Sequence, residues 1–329
     1  EWTFVAGDEG PFLPSPDDYP AETKNCSLEI DGEVRNVMRT RMSLKELEAV
    51  MDVKNKELAK GEESLLIFPE VVGARLYTGP LFFKYNAVLR GLDSETEMLR
   101  DSMVELCCPK AVSDAYRAKK IGYDEAKASL NPYTTTLHVI NSAIVKVGKL
   151  TYASTVYRGV SGGMLPREFW EKNEHGIRGG VEAGFMSTTQ ERAVAVGYAS
   201  GKMQQSSIVI EIEQGMTSRG ADISWLSQYP HEKEILFGPL TGLETMSTRA
   251  EGASLVVCMR VSVNLKSQTI ERLVGQMKFA HLGLLKLLKT QVGEDDTEGK
   301  LAKLERRAEA RPDDYFNSAE MFKESTVRA

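Results

Sequence analysis

Two glutamates, Glu232 and Glu234, stand two residues apart at the head of an apolar run, Glu234-Ile235-Leu236-Phe237. The run reads as a strand, and residues i and i+2 of a strand share a face. Glu232 and Glu234 are therefore expected side by side, with Lys233 pointing away. Adjacent like charges bring a fold little, so the pair points to chemistry. Upstream lie Val156-Tyr157-Arg158-Gly159 and Gly184-Phe185-Met186-Ser187-Thr188-Thr189. A guanidinium is a planar fork that can hold two oxygens of an anion at once. The glycine after it has no side chain to bar a ligand from the backbone. A fixed carboxylate stabilises positive charge as it develops at a reacting centre, and a second can take up a proton.

These segments must be positioned by a core of mixed type. Leu28-Glu29-Ile30-Asp31-Gly32-Glu33-Val34 predicts a hairpin, because Asp-Gly favours the tight turn. Ser43 with Glu46 is a capping box before Leu44, Leu47, Val50 and Met51 and predicts a helix. Helical patterns run on through residues 80–130 and stop at Pro132. Leu137, Ile140, Ile144 and Val147 then mark one face of another helix. From Leu150 to about Leu265 short strands alternate with glycines: 155–158, 184–188, 208–212, 232–237, 242–246 and 255–263, with a short helix over 193–200. After Ser267 the pattern returns to helix with Ile270, Leu273, Val274 and Met277. Beyond Val292 it turns mostly polar, as a peripheral helix or mobile tail would.

In order, Val156-Tyr157-Arg158-Gly159, Phe185-Met186-Ser187-Thr188-Thr189 and Glu232-Lys233-Glu234 resemble the motifs of the mono-ADP-ribosyltransferases of the arginine–serine–glutamate class. Ile223-Ser224-Trp225-Leu226-Ser227-Gln228-Tyr229-Pro230 is similar to that family's loop before its catalytic glutamate. Tyr85-Asn86-Ala87-Val88-Leu89-Arg90 is similar to its helical lobe. The resemblance covers residues 150–265, and more weakly extends back to about 80. It implies an α+β fold with two packed sheets around an NAD cleft and an N-terminal helical lobe. The expected segments are an arm, hairpin and helix without assigned role over 1–75, the lobe over 76–149, the β core over 150–266, and a helical extension with tail over 267–329.

The same resemblance implies an NAD-dependent transferase with NAD as co-substrate and no metal. Arg158 would hold the pyrophosphate or brace the adjoining ribose, beside Tyr157. The main chain of Gly159 would hold the nicotinamide carboxamide. Glu234 would stabilise the oxocarbenium-like ribose. Ser187 would hold Glu234 and, with Thr188 and Thr189, bind NAD, and Phe185 would flank the nicotinamide ring. Glu232 would orient an acceptor arginine, and Trp225 and Tyr229 would meet the target protein. Water or a threonine as acceptor, and a non-catalytic interaction module with this fold, stay open.

Each motif alone has an ordinary reading. An arginine at a strand end is commonly a surface or salt-bridge residue, Ser-Thr-Thr suits any strand, and Glu-x-Glu is commonly a solvated face. Their order carries the argument. His231 reads as a solvated loop residue and Cys107 and Cys108 as small buried hydrophobes.

Composition bounds the rest. The 329 residues are 42% hydrophobic and 27% charged, a globular balance. A net charge of -6 argues against a general nucleic-acid grip. No run is long and apolar enough to span a bilayer. Cys26, Cys107, Cys108 and Cys258 match neither a metal site nor a disulfide framework and read as free thiols. Asn25-Cys26-Ser27 fits a glycosylation sequon. A start at Glu1 rather than methionine points to a fragment or processed form. A cytoplasmic enzyme or a secreted effector or toxin acting in a cytosol would both fit.

Overall fold

The computed structural model describes residues 26–30, 33–37, 42–161, 164–200, 207–215, 217–252, 254–264, 268–292, 300–318 and 321. The opening Pro-, Asp- and Gly-rich stretch, Asn25 and the Asp31-Gly32 turn lie outside them. The chain divides into two compact units, Glu1–Ser267 and Gln268–Ala329.

The first unit opens with the expected hairpin strands, β1 (Cys26–Ile30) and β2 (Glu33–Val37), paired antiparallel with Ile30 opposite Glu33. Seven helices follow: α1 (Leu44–Lys60), α2 (Phe68–Tyr77), α3 (Phe82–Gly91), α4 (Glu97–Cys107), α5 (Lys110–Arg117), α6 (Tyr123–Lys127) and α7 (Thr134–Val147). The capping box of α1 forms as its sequence requires: Ser43 N–H donates to Glu46 Oε2 at 2.7 Å, and Glu46 N–H to Ser43 Oγ at 3.3 Å. Position 75, expected as the end of the first segment, lies inside α2.

Helices α2 and α7 share a buried ionic contact. The Glu70 carboxylate accepts from Lys146 Nζ at 2.9 Å, from Ile67 N–H at 2.9 Å and from the Ser142 hydroxyl. Both charged side chains are buried. Burial pushes the Glu70 carboxyl above its ordinary range, against the pull of Lys146 and Ser142. Lys146→Met should therefore cost about 3–5 kcal/mol, because it strands the carboxylate in the core. Urea unfolding checks this, and the deficit should shrink on acidification as Glu70 takes up a proton. An unchanged midpoint at neutral pH would contradict it.

Eight strands follow as β3 (Thr155–Ser161), β4 (Gly179–Glu182), β5 (Met186–Thr189), β6 (Ser207–Glu213), β7 (Ala221–Asp222), β8 (Glu234–Phe237), β9 (Thr241–Glu251) and β10 (Ser254–Ser262). Helix α8 (Arg192–Ser200) lies between β5 and β6 in sequence. The spatial order is β4-β9-β10-β6-β3-β5-β8-β7. Only β6 and β10 pair in parallel among these neighbours. The two sheets expected around the cleft are joined here in one eight-stranded sheet, as a part β4-β9-β10-β6-β3 and a part β5-β8-β7. They meet at a single register pair, Tyr157 with Thr189. The fold is thus α+β, with a helical lobe ahead of a mixed sheet.

Strand β8 explains its own apolar sequence. Ile235 and Phe237 enter the sheet core with Val156, Ile210, Ile212 and Met259. Leu236, on the opposite face, joins the lobe core with Tyr77, Tyr85, Ile140 and Ile144. A strand covered on both faces carries no alternating polar residues. Glu234, on the Leu236 face, is the exception and is 6% exposed.

The second unit holds α9 (Ile270–Val292) and α10 (Lys300–Glu309). Its core is Leu285, Leu301, Ala308 and Phe316, with the His281 ring stacked on Phe316 at 4.8 Å. Lys278 Nζ donates to the carbonyls of Glu309 at 3.1 Å and Arg311 at 2.7 Å, closing the end of α10.

Candidate functional site

At the junction of the two half-sheets lies a cavity of about 450 Å³. Arg158, Ser187, Glu232 and Glu234 all line it, as do Tyr157, Gly159, Thr188, Thr189 and Tyr229. Three segments far apart in sequence therefore converge on one space. The helical lobe adds Tyr77, Phe82 and Phe83 to its wall.

Strand register fixes the donor side. Thr189 pairs with Glu234 and Ser187 with Leu236, which puts Ser187 one diagonal step from Glu234. The Ser187 side chain hydrogen-bonds the Glu234 carboxylate. Arg158 reaches across from β3 and donates from Nη1 to the Ser187 carbonyl at 2.8 Å. Thr188 points to the other face and donates to the Ile235 carbonyl at 2.7 Å. Burial pushes the Glu234 carboxyl up to about 7; the Ser187 hydrogen bond opposes the rise, the Glu232 charge adds to it, and Arg158 opposes it.

Glu232 departs from the expected strand. Pro230–Glu232 form a 3₁₀ turn, and β8 begins only at Glu234. Between them Lys233 takes a left-handed backbone with φ 44°. The two carboxylates still face one cavity, but a turn brings them there, not strand periodicity. Proline suits the first position of such a turn, where no N–H is needed. The Tyr198 hydroxyl of α8 donates to the Glu232 carboxylate. Burial raises the Glu232 carboxyl, and the Tyr198 contact pulls it back.

Besides lining the cavity, Gly159 has a second neighbour that needs its bare backbone. A Cβ there would fall 2.0 Å from the Ala195 carbonyl oxygen and 2.7 Å from the Ala199 nitrogen. The bare backbone lets α8 pack onto β3, so the missing side chain makes room for a helix.

Phe185 is not at the cavity. Asn86 in α3 takes both of its backbone groups, accepting from the Phe185 N–H at 2.8 Å and donating to its carbonyl at 3.2 Å. This draws Phe185 into the lobe core, where its ring meets Tyr77 edge-on at 5.2 Å. Trp225 is also turned inward. Its indole N–H donates to the Asp222 carbonyl at 2.9 Å and its ring packs on the lobe core. Tyr229 does line the cavity, with His231 edge-on to its ring at 6.2 Å. His231 is half-buried, and burial lowers its pKa.

Residues contributed through space were missed. Tyr77, Phe82, Phe83 and Tyr198 line the cavity without belonging to any motif. Arg90 forms a two-pronged pair with Glu182, at 2.9 and 3.1 Å, and Glu182 also accepts the Gly184 N–H at 2.9 Å. That clamp fixes the entry to β5. Tyr85-Asn86-Ala87-Val88-Leu89-Arg90 held the available signal, since its two polar members supply both clamps.

A larger cavity of about 620 Å³ lies along β4. Its Arg167 and Arg260 are already paired, with Glu171 and Glu244, and it holds none of the carboxylate and hydroxyl set. Among the described residues, no cluster of His, Cys, Asp and Glu could hold a metal, and no helix is long and apolar enough to cross a membrane. Cys107, Cys108 and Cys258 are free thiols, with Cys107 buried.

Several solved structures are similar to this chain. The ADP-ribosyltransferase HopU1 of Pseudomonas syringae pv. Tomato DC3000 is 18% identical, over 68% of this chain and 89% of its own, with a TM-score of 0.45. The Vis toxin, an ADP-ribosyltransferase from Vibrio splendidus, is 16% identical over 70% and 91%, at 0.39. Exoenzyme S from Pseudomonas aeruginosa is 16% identical over 69% and 95%, at 0.38. No curated protein matches the chain. Residues 111–267 match the family model of the NAD:arginine ADP-ribosyltransferases. The matched segment carries Arg158, Ser187, Glu232 and Glu234, and the chain is an NAD-dependent ADP-ribosyltransferase.

Proposed function

We propose that the protein transfers ADP-ribose from NAD to an arginine side chain of another protein and releases nicotinamide. The observation that carries this reading is Glu234, buried at a cavity it shares with Arg158, Ser187 and Glu232. Arg158 fits the anionic pyrophosphate or the ribose next to it. Glu234 sits where it can meet the positive charge that builds on the ribose as its bond to nicotinamide breaks and the electron pair leaves with the ring. Tyr157, Gly159, Thr188 and Thr189 form the remaining wall for NAD.

Glu232 serves the acceptor. A guanidinium keeps its proton with a pKa above about 12 and is a poor nucleophile. A carboxylate beside it can orient one nitrogen towards the ribose carbon. As the new carbon–nitrogen bond forms, that nitrogen's proton passes to Glu232. Tyr229, which lines the cavity, would touch the incoming protein.

The test is nicotinamide release by the full chain with NAD and agmatine, a small guanidino acceptor. ADP-ribosyl-agmatine should appear in step with nicotinamide. Calorimetric NAD binding without nicotinamide release would overturn the enzymatic reading, and nicotinamide release without adduct would overturn the guanidino acceptor.

A further inference from the structure

The loop that leads to both glutamates is strapped to the helical lobe. Arg75 in α2, 3% exposed, donates from Nη1 to the Leu226 carbonyl at 2.6 Å. The Gln228 N–H donates to Thr78 Oγ1 at 3.0 Å, and Gln228 Nε2 donates to the Arg75 carbonyl at 2.9 Å. Ile223 and Leu226 sink into the lobe core beside Tyr77. At Gly79 the fit is so close that a Cβ would lie 2.3 Å from Gln228 Nε2. The three hydrogen bonds fix residues 226–228, and Tyr229 to Glu232 extend from that anchor into the cavity wall. Arg75 and Gln228 do not line the cavity themselves. Arg75 also lies outside the segment 111–267 that marks the family.

We propose that Arg75 is a positioning residue for the acceptor half of the reaction. It acts through the Leu226 carbonyl on the placement of Tyr229 and Glu232, and it does not touch substrate. A charged donor is the stronger partner for a buried carbonyl, and a planar guanidinium loses little freedom in holding it. The donor half is held separately. Glu234 is fixed by the register of β8 on β5 and by Ser187. Its carbonyl also accepts the Ile223 N–H at 3.1 Å, at the end of the loop before Leu226. Loosening the strap should therefore blur the acceptor site and spare the bond-breaking site.

The inference rests on the proposed transfer to a guanidino acceptor, and the experiment separates the two. Nicotinamide release in water and adduct formation with agmatine are measured for the full chain and for Arg75→Met, Arg75→Lys and Gln228→Leu. In Arg75→Met, transfer should fall about ten- to a hundredfold, the usual effect of displacing a reacting group by an ångström. Hydrolysis should stay within about threefold of wild type. Arg75→Lys, which keeps a cationic donor, should recover part of the transfer. Gln228→Leu keeps the buried guanidinium and should show the same split in milder form, even where Arg75→Met does not fold. Equal loss of both activities in Gln228→Leu and in any folded Arg75 variant, or loss of neither, would overturn the positioning role while leaving the functional reading intact. A wild-type protein with neither activity would overturn both.

Discussion

Glu234→Gln should lower nicotinamide release by about a thousandfold or more, with or without an acceptor. Every route that consumes NAD breaks the same bond, and the neutral amide keeps the shape of the side chain but not its charge. The wild-type profile should show the charge directly. Burial, with Glu232 adding to it, puts the Glu234 carboxyl at about 7, so kcat/KM for release should rise with pH through that region. Stability should move the other way. The carboxyl binds its proton more tightly in the fold than in the unfolded chain, where it titrates near 4.5. Its contribution is therefore fully present below the unfolded value and is lost as pH rises through about 7. At pH about 8 Glu234→Gln should unfold at the same urea concentration as wild type or a higher one, inactive yet no less stable. A variant that keeps more than a tenth of wild-type release, or whose inactivity tracks a collapse in stability, would contradict this placement.

Local signals served the sequence well. The Ser43–Glu46 box formed, the helix of Leu137, Ile140, Ile144 and Val147 formed over Thr134–Val147, and β6 and β10 lie where apolar runs placed them, while β9 runs on to Glu251 beyond the expected 242–246. Two short strands escaped, β4 and β7. Gly179-Gly180-Val181-Glu182 has too few apolar residues to show alternation, and Ala221-Asp222 is only two residues long. Both exist because neighbours pair with them, which no local pattern records. At the site, residue types were legible but their surroundings were not. The apolar run suggested a strand already at Glu232, whereas the left-handed Lys233 turns the chain between the two glutamates. Phe185 and Trp225 looked like ligand and target contacts because aromatic side chains suit both roles. Asn86 and the Asp222 carbonyl, 99 and three positions away, decide instead that both rings pack inward. Tyr198 and Arg75 carry no motif, and only tertiary contact joins them to Glu232 and to the loop.

Glu232→Gln should divide the reaction at the point where the acceptor enters. Transfer to agmatine should fall by about a hundred- to ten-thousandfold, the range for losing a positioned base. Hydrolysis of NAD should persist within about threefold, because Glu234, Ser187 and Arg158 remain. Glutamine still offers the Tyr198 hydroxyl an acceptor, so the turn before β8 should keep its shape, and the loss should be one of charge rather than of structure. A second sign follows from electrostatics. The Glu232 charge helps to raise the Glu234 carboxyl. Without it the remaining hydrolysis should reach its plateau at a lower pH than in wild type, since a lone carboxyl ionises more readily than one of a pair. Nicotinamide release and adduct formation, followed together across pH, read both effects in one series. If both activities fall together, or the hydrolytic profile shifts to higher pH, Glu232 is not the acceptor carboxylate, and the two glutamates act as a single unit on the NAD side.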